Sequence, residues 1–229
     1  MSRARAGGVE FDAAVLRPSP EGFARLGDAP PVRRAFAAAH VVMRADYATC
    51  DHRLDAPGSA EQIADAIDWP RTAALRRHLA AQGFGIAEAM DTAQRFQLGF
   101  PAARHLIADC RDASSGQGFI AGAATDHCPE ADDRAALIHA VVEQIRFIQA
   151  AGGLAIVLPL AFLPRSNATA ADYVETYDAI ADAIDGPLFL HWLGEAFAPH
   201  LRGYFPDDSL LTILRHWPDT LRAAAWRSS

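Results

Sequence analysis

The sequence contains no lysine: all 21 of its basic residues are arginine. One class of chemistry is excluded at once, because no side chain can form a Schiff base with a carbonyl substrate. A guanidinium stays protonated and does not substitute for the missing amine. Basic clusters are absent too. The net charge is −7 with no arginine block, which argues against a nucleic-acid surface. Cysteine is scarce: Cys50, Cys110 and Cys128 are odd in number and widely spaced, so no disulfide framework is expected and a reducing cytoplasm fits. No apolar run is long enough to cross a bilayer. Met1–Gly8 carries two arginines but leads into no apolar core, so no secretory signal is read there. Neither GxGxxG nor the P-loop pattern GxxxxGK marks a nucleotide site.

What is present is a repeated local pattern. "AAQGFGIAEAM", "SSGQGFIAGAAT" and "QAAGGLAIVLPL" each place a glycine, suited to a helix C-terminus, directly before an apolar strand. "FAAAHVVM" (36–43) and "PLFLHWL" (187–193) add two strands without the full motif. All five runs are apolar throughout rather than alternating, as in parallel strands covered on both faces. Expected strands therefore cover 36–43, 85–90, 118–125, 154–161 and 187–193.

Helical patterns separate them. Asp68 is placed to cap "WPRTAALRRHLAAQ", with Pro70 tolerated in the first turn. "PAARHLIADC" is a shorter helix. "EADDRAALIHAVVEQIRFIQAAG" carries Leu137, Val141, Val142, Ile145 and Ile148 on one stripe, and "TAADYVETYDAIADAI" carries Tyr173, Tyr177, Ile180 and Ile184. A last helix, "DDSLLTILRHW", follows the fifth strand. "RADYATCDHRLDAPGSAEQIADAI" is read as an insertion, a loop with a short helix.

Consecutive βα units with right-handed crossovers build either part of a (β/α)8 TIM barrel or an open, doubly wound parallel sheet. The expected organisation is an N-terminal arm over 1–34 and an incomplete (β/α) barrel domain of about five units over 35–229. In both architectures the C-terminal strand ends form the functional face. They carry His40 and Asp46, then Glu88, Asp91, Thr92 and Gln94, then Thr125, Asp126 and His127, then Arg165, Ser166 and Asn167, and finally His191, Trp192 and Glu195.

Each candidate has a competing structural reading. Asp91 and Asp126 can serve as caps of the following loops. Glu88 lies inside a strand among alanines, where an unpaired carboxylate is costly; this points to function. His191 serves equally as a satisfied core histidine, and Trp192 as packing. The pairs His127–Cys128 and Cys50–His52 match no zinc-module spacing.

Together "AAHVVM", "DWPRTAALRRHLAAQGFGIAEAMDTAQR", "PAARHLIAD", "AGAATDH" and "PLFLHWLGEAFAPHLRGYF" resemble an uncharacterised bacterial family, DUF993, often called dihydrodipicolinate synthase-like. The resemblance covers about residues 35–212, with "EAMDTAQR" and "HWLGEAF" followed by "LRGYF" its most specific parts. It implies a class I aldolase-type barrel, a lyase joining small keto acids or sugar-derived carbonyl compounds to an aldehyde through a lysine imine. That lysine belongs to a sixth strand, in a segment for which this chain has no counterpart, so the chain reads as a shortened member lacking strands six to eight.

Three functions follow as expectations. In the first, Glu88, Asp91 and His191 are catalytic, and Thr92, Gln94, Thr125, Asp126, Arg165 and Trp192 bind a small carbonyl or sugar-derived substrate without cofactor. In the second, Glu88, Asp126 and His191 hold a divalent metal in an isomerase or hydrolase. In the third, the chain is a non-catalytic paralogue. A homo-oligomer is expected throughout, since an incomplete barrel exposes apolar surface.

Overall fold

A computed structural model describes residues 3–6, 9–12, 35–49, 59–90, 93–128, 133–191 and 201–204. The chain divides into two compact units, Met1–Arg34 and Ala35–Ser229. In the first, β1 (Arg3–Ala6) and β2 (Val9–Asp12) pair antiparallel, with Ala6 opposite Val9.

The second unit is a βα repeat. It contains β3 (Phe36–Ala38), a 3-10 helix (Ala45–Thr49), α1 (Ser59–Asp65), α2 (Trp69–Ala81), β4 (Gly85–Glu88), α3 (Arg95–Leu98) and α4 (Phe100–Ala113). It continues with β5 (Phe119–Ala123), α5 (Arg134–Ala150), β6 (Leu154–Val157), α6 (Phe162–Arg165), α7 (Ala170–Asp182) and β7 (Leu188–Leu190). The five strands form one all-parallel sheet in the order β3-β4-β5-β6-β7. Among the described strands the order does not reverse, as it does in a doubly wound sheet. Among the described residues, no helix is long and apolar enough to cross a membrane.

The helices begin where their caps dictate. The Asp68 carboxylate accepts from the Arg71 N–H at the start of α2, and Asp133 accepts from Ala136 at the start of α5. Thr169 and Asp172 form a reciprocal capping box on α7. The anticipated stripe of α5 is buried: Leu137, Val141, Val142, Ile145 and Ile148 are at most 6% exposed. They pack with Ala103, Ile107 and Cys110 of α4, with Tyr173, Tyr177 and Ile180 of α7, and with Ile86, Phe119, Ala121, Ala123, Ala155 and Val157 of the sheet. The opposite sheet face carries a second cluster, Ala87, Ile120, Leu158 and Met90, edged by Phe36, Leu154 and Ile156. α4, α5 and α7 thus cover the same face of the sheet.

The strands are shorter than their apolar runs. The ladder between β3 and β4 continues one bond past β3, from the Ala39 N–H to the Ala87 carbonyl at 3.2 Å. The chain then leaves the sheet. The Val42 N–H donates to Thr72 Oγ1 at 2.9 Å, the Asp68 N–H donates to the Val42 carbonyl at 2.8 Å, and Met43 bridges Ile67. The anticipated strand residues 40–43 therefore dock on the α1–α2 connection. β6 stops before Pro159, which has no N–H to offer a ladder. β4 stops at Ala89, which turns the chain with φ +48°. The helix expected over 207–217 lies outside the described residues.

Candidate functional site

Glu88 is the first candidate to locate, and it faces the helices. It lies on the same side of β4 as Ile86 and is fully buried. Its partner is Arg76, on the buried stripe of α2 with Thr72 and Ala80. Arg76 donates from Nη2 to Glu88 Oε1 at 2.8 Å and from Nε to Oε2. Its Nη1 donates to the carbonyls of Thr72 at 3.0 Å and His40 at 3.1 Å. The Ala89 N–H completes the carboxylate at 2.7 Å. Cys110 lies beside this pair. Burial, then the negative charge of Glu88, pushes its thiol pKa far up, so it is an inert core residue. The expectation that Glu88 faces a cleft with Asp126 and His191 is corrected: its carboxylate is closed by a guanidinium inside the helical layer.

Asp126 is closed in the same way by an arginine that sequence reasoning did not select. Arg95 is fully buried and uses all five of its N–H groups. Nε and Nη2 grip Asp126 Oδ2 and Oδ1, each at 2.9 Å, and Nη2 also donates to Gln144 Oε1 at 2.6 Å. Nη1 donates to the carbonyls of Ala89, at 3.2 Å, and Gly122. Burial by itself pushes the Asp126 carboxyl up. The hydrogen bond and charge of Arg95, aided by Gln144, outweigh it and hold the carboxyl below its ordinary range.

Gln144 fixes the next link. Its Oε1 accepts from Arg95 and from the Ala124 N–H at 2.8 Å, so its Nε2 is the donor to Asp126 Oδ1 at 2.9 Å and to His127 Nδ1 at 2.8 Å. His127 Nδ1 is therefore an acceptor, and the ring proton sits on Nε2, 3.3 Å from Glu143 Oε2. Both nitrogens are engaged.

Ala89 joins the two networks, its N–H going to Glu88 and its carbonyl to Arg95. A positive φ in a non-glycine residue needs such over-determination. Gly122 makes room for it: a Cβ there would stand 2.7 Å from the Ala89 oxygen. The two ion pairs thus hold the ends of β3, β4 and β5 in place; the Arg76–Glu88 contact is buried, while the Asp126 side chain keeps 12% of its surface exposed.

The open space lies next to them. A cleft of about 220 Å³ is lined by His40, Val41, Met43, Tyr47, Ile63, Ala93, Gln94 and Leu98. It sits beyond the C-terminal ends of β3 and β4. Its walls are the 3-10 helix, α1 and α3, over the small apolar core of Ile63, Ile67, Leu98, Ala102 and Leu106. His40 and Gln94 are exposed, and Gln94 has the left-handed conformation with φ +55°. Arg76 ties down His40 through its carbonyl, and Arg95 immediately follows the Ala93–Gln94 edge.

Of the remaining candidates, Thr125 is half-buried beside Asp126, and Arg165 is exposed at the end of α6. The His191 N–H extends the ladder to the Val157 carbonyl at 2.9 Å, and its buried Nδ1 finds no partner among the described residues. Asp91, Thr92 and Trp192 lie outside the described residues. Among the described residues no group of three or more His, Cys, Asp or Glu is placed to hold a metal. The cleft unites Gln94 with His40, while Asp126 belongs to the Arg95 network. Arg76, Arg95 and Gln144 were missed because each stands on a helix face where charge or amide is unexpected. Their signal was position: Arg76 falls four residues from both Thr72 and Ala80, and Gln144 falls inside the apolar stripe of α5.

The model of DUF993, described as a protein of unknown function, matches residues 13–225, and the chain belongs to that family. The match reaches further at both ends than the motif-bearing stretch 35–212. No curated protein matches the chain.

Proposed function

We propose, with DUF993 membership as the premise, that this chain binds a small keto acid or sugar-derived carbonyl compound in the cleft at the ends of β3 and β4, and enolises it without an imine. The observation that carries the reading is the cleft itself: His40 and Gln94 flank an apolar floor at the strand ends, beside two carboxylates already closed by arginine. His40 takes the proton from the carbon beside the carbonyl, the electron pair moves onto the carbonyl oxygen, and the Gln94 amide donates to that oxygen. Delivery of the proton to the former carbonyl carbon, with loss of the α-hydroxyl proton, gives an isomerase outcome, and attack of the enolate carbon on an aldehyde forms a carbon–carbon bond, the lyase reaction run in reverse.

The fold in this reading is five units of a (β/α)8 barrel, supported by the sequential parallel order and by helices on one face. It works in a reducing cytoplasm and pairs with a second copy. β3 and β7 each pair on one side only among the described residues, and Phe189 is 42% exposed on the face away from the helices.

Exchange at carbon tests the chemistry. Pyruvate and dihydroxyacetone are incubated with the full chain in D2O and followed by proton NMR. Wild type is expected to exchange the α-hydrogens of at least one, and His40→Gln to lose about a hundredfold or more. No exchange by wild type, or undiminished exchange by H40Q, refutes the mechanism.

A further inference from the structure

The walls of the cleft also speak to the charge of its ligand. A carboxylate taken out of water needs a cation or several donors in return. Among the described residues three arginines stand near this cleft, and none of them lines it. Arg76, behind His40, is clamped on Glu88 and on two carbonyls. Arg95, behind Gln94, has all five donors filled and is neutralised by Asp126. Arg44, beside Met43 but outside the lining, is exposed and donates from Nε to Asp46 Oδ1 at 3.3 Å and from Nη1 to the Asp65 carbonyl. The polar side chains at its rim include the amide of Gln94 and the imidazole of His40, over Val41, Met43, Ile63 and Leu98. Amide and imidazole match hydroxyl and carbonyl groups, and the aliphatic floor matches a C–H face. At about 30 Å³ per water, 220 Å³ holds about seven waters, the scale of a small metabolite. The protein's net charge of −7 further disfavours an anion.

We infer that the cleft selects an uncharged polyhydroxy carbonyl compound, of the sugar-derived kind, over a keto acid. This rests on the proposed site at His40 and Gln94. It makes Gln94 a specificity-determining residue, since among the described residues its neutral amide stands on the cleft wall where a keto acid would need a cation.

The test is a protein-observed 1H–15N NMR titration of the full chain, reading the Gln94 side-chain amide and the backbone signals of His40 and Ala93. The probes are dihydroxyacetone and pyruvate, which have three carbons each and differ in charge. Dihydroxyacetone is expected to shift these signals with at least tenfold tighter binding than pyruvate. The Gln94→Arg variant is expected to shrink or invert that ratio, read on the His40 and Ala93 signals. Equal or tighter binding of pyruvate at the same signals overturns the inference while leaving the site in place. If neither probe moves these signals, the site itself is refuted and the inference falls with it.

Discussion

Replacing Arg76 by methionine leaves the buried Glu88 carboxylate with only the Ala89 N–H and the weak donor of the Cys110 thiol. The pair is in contact, with Nη2 to Oε1 at 2.8 Å, which at an effective dielectric of about 20 corresponds to about 6 kcal/mol of gross attraction. Desolvation offsets much of that for the intact pair, so the pair itself adds little net stability. Removing one partner is different, because the stranded charge keeps its desolvation cost; the expected loss is about 3–5 kcal/mol. Two carbonyl contacts, to Thr72 and His40, disappear with it. Against a total of about 5–15 kcal/mol for a typical domain, such a loss is a large fraction. Urea unfolding followed by circular dichroism measures it. With a slope near 2 kcal/mol/M the midpoint falls by about 1.5–2.5 M. The double variant Arg76→Met, Glu88→Leu removes both charges and is expected to regain most of the loss. A single-variant loss under about 1 kcal/mol would refute the structural role of Glu88 and return it to the list of available acids.

Other consequences are smaller in scope. Asp126 has a folded pKa below its unfolded value, so its stabilisation is fully present above the unfolded pKa of about 4 and is lost as pH falls through the lower folded value. The urea midpoint should therefore fall below about pH 4, and Asp126→Asn should flatten that limb; an unchanged limb contradicts it. Gly122→Ala places a Cβ 2.7 Å from the Ala89 oxygen and 3.0 Å from Leu158 Cδ1, and should cost about 1–3 kcal/mol in the same assay, against no cost if Ala89 moves freely. Tyr204→Phe strips the Leu160 N–H of its acceptor at 3.0 Å and breaks the hydroxyl contact with Tyr177, an expected loss of about 1–3 kcal/mol. Light scattering of the full chain should give a dimer or larger, and a monomer at high concentration would contradict the proposed self-pairing.

Much of the scaffold was legible because its signals are local. Glycine before an apolar run marked β4, β5 and β6, and Asp68 is a cap whose side chain reaches only three residues. The strand ends were less legible. Whether "HVVM" stays in the sheet depends on the Val42 N–H finding Thr72, thirty residues away. The site suffered most from this limit. Glu88 and Asp126 look alike in sequence to free strand-end carboxylates, and what neutralises them lies 12 and 31 residues off. Parity along β4 held the clue, since Glu88 shares the side of Ile86, which meets the helices. His40 fell inside the strand expected over 36–43, and nothing local shows that the chain leaves the sheet before it or pairs it with Gln94, which only the packing of α1 and α3 brings to the same cleft.

The proposed carbonyl site is the cleft of His40 and Gln94. A crystal structure of the full chain soaked with dihydroxyacetone tests it most directly. Density is expected in the cleft, with the carbonyl oxygen about 3 Å from Gln94 Nε2 and the His40 ring against the neighbouring carbon. Density beside His191 and Arg165 instead, with the cleft empty, would contradict it.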